Sequence, residues 1–339
     1  MVPQITVRNE NIINPTVSII LPVGVTKTFL NQALWSIVSQ TLSNWECLVI
    51  VDDSDQHNFA LPNIVKLDTR FRVVINNSPG IVSALNTAIK LAKANYIARF
   101  DADDVMFPDR LQAQVDILNS QETIMVVGTQ VLIIDEDNQV LNRQPIFPVD
   151  PADINKALFN KNVLAHPSVM FRLSSFNKVG GYRAMFRKSE DYDLWLRLSE
   201  YGGICNTRET YLALRKHKSN LSGADTALDG LYSDFAQVSA LCRKAGVGEL
   251  AIPLPTEPTK ILNLINEMWA SLGKQQNYLR RLKPMRPSMM MNLSKNRFLQ
   301  YCLKIADRFN GLTQTNKSKS IMWSSIVSKW ESQNSAWRA

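Results

Sequence analysis

Three carboxylates fall within four residues in Asp101-Ala-Asp-Asp104. They repel one another, and burying them without a counter-charge is costly. A divalent cation relieves that repulsion. Mg²⁺ or Mn²⁺ prefers oxygen ligands, commonly one or two carboxylates plus the phosphates of a substrate. The alternative is a solvated acidic loop that caps a helix beginning at Pro108. Asp52 and Asp53 end another apolar run, where a carboxylate can accept hydrogen bonds from a nucleobase or a ribose hydroxyl; the alternative is a turn or cap in Asp-Asp-Ser-Asp. Glu190 and Asp191 open a helix. Either they cap it, favoured by the helix dipole, or one acts as a general base on a hydroxyl. His217, in Arg215-Lys-His-Lys218, could ligate a metal or touch a phosphate, and Arg215 offers phosphate a planar fork. A basic surface loop is the alternative there. His166, before Pro167 on a strand, reads first as a satisfied core or edge histidine, and His57 carries no assignment.

These residues need elements to position them. Residues 17–22, 45–51, 71–75 and 96–100 are short, β-branched or aromatic apolar runs with the look of buried strands. Between them, residues 29–40 and the stretch opened by Pro79-Gly80 carry apolar side chains at helical spacing. Pro108 suits the first turn of a helix running to about Asn119. This alternation predicts a mostly parallel sheet with helices on its faces. Ligands of such sheets sit outside the carboxyl ends of the strands. If the strands ending in Asp52-Asp53 and Asp101–Asp104 are parallel, both acidic groups share one sheet edge. Further on, 124–127, 131–134, 166–173 and 211–214 read as strands, 150–159 and 190–200 as helices, and Gly180-Gly181 as a turn. After Gly223 the chain reads as helical, with Pro253, Pro255 and Pro258 marking a linker.

The length of 339 residues suits one large domain with an appendage. Four scattered cysteines without a C-x-x-C pair predict reduced thiols, neither a disulfide framework nor a zinc site. With no signal-peptide pattern and no run of roughly 20 apolar residues, the expected location is cytoplasmic. The net charge of +8 is unevenly placed: residues 224–339 hold 16 basic and 8 acidic side chains, and the rest of the chain balances. A basic C-terminal third with Arg280-Arg-Leu-Lys-Pro-Met-Arg286, Met289-Met-Met291 and tryptophans among the lysines of 317–330 fits peripheral contact with the anionic inner face of a membrane. Ordinary helices packing on the catalytic domain fit as well. No nucleic-acid-binding module is recognisable.

Together and in this order, the motifs resemble the family 2 glycosyltransferases of GT-A fold. Those carrying the resemblance are Val17-Ser-Ile-Ile-Leu-Pro22, Ala33-Leu-Trp-Ser-Ile-Val-Ser-Gln-Thr41, Val49-Ile-Val-Asp-Asp-Ser54 and Tyr96-Ile-Ala-Arg-Phe-Asp-Ala-Asp-Asp104 with Pro108-Asp-Arg-Leu111. His166-Pro-Ser-Val-Met-Phe-Arg172, Gly180-Gly-Tyr182 and Glu190-Asp-Tyr-Asp-Leu-Trp-Leu-Arg-Leu198 complete the set. The resemblance implies an α/β fold whose GT-A type sheet, mostly parallel and flanked by helices, is followed by a helical C-terminal region. The catalytic domain would span 1–222 and the basic helical region 223–339. It further implies an inverting, metal-dependent transfer from a nucleotide-diphosphate sugar to a glycan or lipid-linked acceptor, in surface polysaccharide or lipopolysaccharide synthesis. Pro22, Asp52, Asp53, Asp101, Asp103 and Arg215 would contact the nucleotide sugar. Asp103, Asp101 and His217 would hold Mn²⁺ or Mg²⁺, the first two forming the D-x-D motif. Asp191 would be the catalytic base, with Glu190 as its understudy.

Two departures stand out. Val23-Gly24-Val25 replaces the small residue, aromatic and Asn usual after Pro22. The Q-x-x-R-W motif of polymerising members is absent, so addition of single sugars is expected. The rival readings are a sugar nucleotidyltransferase, for which the residues after Pro22 make a poor glycine-rich loop, and an inactive nucleotide-sugar-binding module, against which the intact Asp101, Asp103 and Asp191 speak. A dehydrogenase lacks its G-x-G-x-x-G.

Overall fold

The computed structural model describes residues 14–24, 28–52, 62–141, 145–217, 226–247 and 254–274, all within one compact unit, Met1–Gln276. Its strands are β1 (Val17–Val23), β2 (Trp45–Asp52), β3 (Phe71–Asn76), β4 (Tyr96–Arg99), β5 (Val105–Met106), β6 (Ile124–Ile134), β7 (Met170–Arg172) and β8 (Gly203–Arg215). Its helices are α1 (Leu30–Val38), α2 (Asn63–Leu67), α3 (Ile81–Leu91), α4 (Arg110–Ser120), α5 (Pro151–Leu158), α6 (Leu173–Lys178), α7 (Glu190–Leu198), α8 (Thr226–Ala245) and α9 (Pro258–Lys274).

The strands form one sheet in the order β3-β2-β1-β4-β7-β6-β8-β5. β1, β2, β3 and β4 run parallel, as the alternation of strands and helices requires. Beyond β4 the sheet is mixed: β7 is antiparallel to both its neighbours, while β6 and β8 are parallel. Since β1 lies between β2 and β4, Asp52 and the Asp101–Asp104 loop leave the sheet at the same edge. The register of β1 with β4 ends at Ile20 opposite Arg99, so Pro22, two residues on, deprives β4 of no donor.

Side chains alternate along each central strand and feed two cores. Val17, Ile19 and Leu21 join Val49 and Val51 beneath α1 and α4; Ile20, Leu48 and Ile50 face α3, α5 and α7 on the other side. Helices α8 and α9 bury Tyr232, Phe235, Ile261, Ile265 and Met268 in that second core. The opening of the C-terminal third therefore packs on the same apolar mass as α7. Its basic clusters after residue 274 lie outside the described residues.

Several expectations need correction. Residues 124–134 form one strand, not two, because Gly128 lets β8 close in. A Cβ there would meet Asn206 Oδ1 at 2.1 Å, and the register shifts beside it. His166–Ser168 is a 3₁₀ turn with Pro167 in its first positions, leaving only Met170–Arg172 as strand. β8 begins eight residues before the expected 211, its polar first half being held by pairing with β6. Pro258 opens α9 instead of lying in a linker.

Candidate active site

The segment that follows the acidic loop is held by polar side chains of α1 and of the turn after it. Ser36 Oγ accepts the Met106 N–H (3.1 Å), while Gln40 donates to the Phe107 carbonyl (2.8 Å) and accepts the Leu111 N–H (3.1 Å). Arg110, wholly buried, donates to the Arg99 carbonyl (2.8 Å) and so ties α4 to the end of β4. Burial lowers its pKa to about 9.

Asp101, Asp103 and Asp104 each present an oxygen within 4.8 Å of the others. Asp101 pairs with the Arg99 guanidinium. Asp103 Oδ2 lies 2.8 Å from His217 Nε2. Asp104 Oδ1 accepts the Arg215 N–H at 2.8 Å, but its Oδ2 is buried and meets no hydrogen-bond partner among the described residues. Burial, then the charges of Asp101 and Asp103, push the Asp104 carboxyl well above its ordinary range. Burial also raises Asp101, against the pull of Arg99. Arg99 pairs directly with only one of the three carboxylates and Asp104 has an oxygen to spare; hard oxygen ligands beside an imidazole suit Mn²⁺ or Mg²⁺.

Arg215 is fully buried, and its fork is engaged by protein. Nε donates to the Asp103 carbonyl (2.8 Å), Nη1 to the Asp135 carbonyl (2.9 Å) and Nη2 to Gln32 Oε1 (2.8 Å). Its guanidinium carbon lies 4.2 Å from the centroid of the Phe29 ring. At the neighbouring strand end Asp52 Oδ1 accepts a hydrogen bond from Asn76 Nδ2 at 2.8 Å. Asp53 lies outside the described residues.

Glu190 and Asp191 stand at the start of α7, entered through Ser189 in a left-handed conformation (φ 57°). The hydroxyl of Ser189 meets that of Ser233 on α8 at 2.9 Å. The helix is locked from below by Asp193, wholly buried between Arg183 and Arg197, while Arg197 donates to the carbonyls of Val179 and Gly181, both at 2.7 Å. Gly181 has φ 72° and a Cβ there would meet the Phe176 ring at 2.9 Å, so the expected Gly180-Gly181 turn needs glycine. Asn86 of α3 grips the backbone of Tyr182, donating to its carbonyl (2.8 Å) and accepting its N–H (3.2 Å).

Asp191 Oδ2 accepts from Asn162 Nδ2 and its Oδ1 from the Tyr192 N–H, both at 2.7 Å. Burial raises the Asp191 carboxyl, and these hydrogen bonds and the charge of Arg99 oppose the rise. Glu190 is pushed up to about 8 by burial and by Asp191. His166 Nδ1 lies 3.8 Å from Glu190 Oε1 and Nε2 2.8 Å from the Tyr182 hydroxyl. Burial and Arg99 hold His166 well below its ordinary value, so it stands there uncharged.

Arg99 links the two acidic groups, for its charge acts on Asp101 and Asp104 and also on Glu190 and Asp191. Sequence reasoning gave no role to Arg99 or Asn162. Arg99 lay inside a quoted motif, one residue before Phe100-Asp101, whereas Asn162 carried no local signal.

With this geometry in view, the model for "Glycosyl transferase family 2" matches residues 18–189, just over half the chain, ending immediately before α7. The chain belongs to this family. The O-antigen biosynthesis glycosyltransferase WbnJ of Escherichia coli is 34% identical over 184 residues, covering 54% of this chain and 71% of its own. EpsE of Bacillus subtilis (strain 168), named as a candidate glycosyltransferase, is 32% identical over 200 residues, covering 56% and 68%. Among solved structures, S. aureus TarS 1–349 in complex with UDP-GlcNAc superposes with a TM-score of 0.54 at 13% identity, covering 76% of this chain and 72% of that one. The GT-A type fold expected of this glycosyltransferase is the one observed. Among its described residues no helix is long and apolar enough to cross a membrane.

Proposed function

We propose that this family 2 glycosyltransferase transfers one sugar from a nucleoside-diphosphate sugar to an acceptor hydroxyl, with inversion at the anomeric carbon, during synthesis of a surface polysaccharide or lipopolysaccharide. The observation that carries the reading is Arg99, whose charge reaches both the Asp101–Asp104 cluster and the Glu190–Asp191 pair. In this reading the donor's diphosphate would lie at the first group and its anomeric carbon would face the second. The nucleotides bound in the TarS complexes, UDP-GlcNAc and UDP, and the O-antigen role in the name of WbnJ favour the same donor class and setting.

In this reading Asp191 takes the proton of the acceptor hydroxyl as its oxygen attacks the anomeric carbon and the bond to the diphosphate breaks. Glu190, holding its proton, leaves the negative charge to Asp191. Asp101, Asp103 and His217 would hold Mn²⁺ or Mg²⁺, which when bound supplies Lewis-acid stabilisation of charge on the diphosphate. Asp52 and Asp53 would meet the base or ribose, with Pro22 at the floor of that site. Arg215 would serve the diphosphate indirectly, by shaping the Asp103 loop. Residues 1–222 would be the catalytic domain, with α8 and α9 packed into its second core, and the basic clusters after residue 274 would form a membrane-docking extension serving a glycan or lipid-linked acceptor.

The test is release of nucleoside diphosphate from a panel of UDP-, GDP- and dTDP-sugars with Mn²⁺ and with EDTA. Metal-dependent release by the wild type is expected. Asp191→Asn should lose about 10²–10⁴ in rate while still binding the donor. Equal release by the two proteins would remove Asp191 from the chemistry.

A further inference from the structure

We propose that Asn162, which no sequence motif marks, is the positioning residue that holds the carboxylate of Asp191 in its reactive orientation; this rests on the reading of Asp191 as the base. Asn162 lies in the loop between α5 and the 3₁₀ turn at His166–Ser168. Its Oδ1 accepts the Leu164 N–H at 3.2 Å, and its Nδ2 donates to Asp191 Oδ2 at 2.7 Å. A backbone N–H can be accepted only by the amide oxygen, so the first contact forces the NH₂ toward the carboxylate.

The loop is itself fixed at both ends. The Tyr192 hydroxyl donates to the Leu158 carbonyl before it, and Asn206 Nδ2 donates to the Val163 carbonyl at 3.2 Å within it. Tyr192 therefore anchors the loop that presents Asn162 and also gives its own N–H to Asp191 Oδ1. Each oxygen of Asp191 receives one donor, which fixes the plane of the carboxylate and leaves lone pairs on both for an incoming hydroxyl.

The surrounding titratable and charged groups are Glu190 and Tyr192 on α7, Tyr182 before it, His166 in the 3₁₀ turn and Arg99 on β4. Asn162 is the neutral donor in this set. A hydrogen bond to the ionised form favours it, whatever the protonation of Glu190.

The experiment compares full-length Asn162→Ala and Asn162→Asp with wild type by carbon-13 carboxyl titration of Asp191, assigned with Asp191→Asn. Turnover is followed against pH with Mn²⁺ and the nucleotide sugar that releases diphosphate fastest. Asn162→Asp keeps the shape and the acceptor for Leu164 N–H but replaces the donor by a like charge. The Asp191 midpoint should rise by about one pH unit in Asn162→Ala and further in Asn162→Asp. The acid limb of kcat should move with it, with kcat at least about 10-fold lower and the donor KM little changed. A merely structural role predicts an unmoved Asp191 midpoint and acid limb in Asn162→Ala, the variant that removes the donor without adding charge, and that result overturns the proposal. Undiminished turnover in Asp191→Asn overturns instead the base assignment beneath it.

Discussion

His217 Nε2 lies 2.8 Å from Asp103 Oδ2, joining the segment just past β8 to the loop after β4 across 114 residues of chain. The imidazole is almost wholly buried and packs at 5.4 Å against the Phe29 ring, so its approach to Asp103 is fixed by apolar contact as well as by the hydrogen bond. Either a shared cation or an oriented carboxylate explains such an arrangement. In the proposed reading Asp103 and His217 act together on a bound cation.

Manganese binding, followed by electron paramagnetic resonance of the free ion, should therefore be lost in Asp103→Asn and weakened about 10–100-fold in His217→Ala. Wild-type affinity in His217→Ala would confine that histidine to packing.

Glu190 gives the chain a pH dependence of defined sign. Its carboxyl is raised from 4.5 to about 8, so between those values the folded state binds more protons than the unfolded one. Stability contributed by the protonated form is complete below about pH 4.5 and is lost as pH rises toward 8, at up to roughly 1.4 kcal/mol per pH unit. Glu190→Gln should show a flatter profile over this range in urea unfolding. An identical slope in the two proteins would mean that Glu190 is ionised throughout.

The parts legible in the sequence are those where one local pattern decides the outcome. Trp45–Asp52 and Tyr96–Arg99 read as buried strands because mostly apolar residues run up to an acidic end, and those acidic ends do share one sheet edge. Polar residues that act at long range without a motif to mark them were not legible. Asn162 is one asparagine in Phe-Asn-Lys-Asn, and its partner Asp191 is 29 positions away. Arg99 reads as the end of a strand until the fold brings α7 to it. Polar strand residues such as Asn206 and Thr207 were missed because the pairing of β8 with β6 overrides their weak preference for strand.

Asp193 differs from its neighbours Glu190 and Asp191 in having no access to solvent. Both its oxygens are taken by Arg183 and Arg197, and Arg197 in turn holds the carbonyls on either side of Gly180. Removing the carboxylate leaves a buried guanidinium without its counter-charge. Asp193→Ala should cost about 3–5 kcal/mol of stability by urea unfolding, whereas Asp191→Asn should cost far less. Equal losses would place both carboxylates in the framework of the helix.

Arg215 allows two roles that mutation can separate. As a direct phosphate ligand it would need donors free for the diphosphate, and lysine would replace it in part as a point charge. As a strut it uses the planar fork to span the Asp103 carbonyl, the Asp135 carbonyl and Gln32 at once, which lysine cannot do. The second role follows from its complete burial and from its N–H bond to Asp104. Arg215→Lys should then lower stability by about 3 kcal/mol, as hydrogen bonds from a charged donor are lost. Mn²⁺ affinity should fall with it, and nucleoside diphosphate affinity only in proportion to the metal. Calorimetric titration of Mn²⁺, and of UDP with and without Mn²⁺, separates the cases. A variant of full stability and normal metal affinity that has lost UDP alone would put the guanidinium on the phosphates.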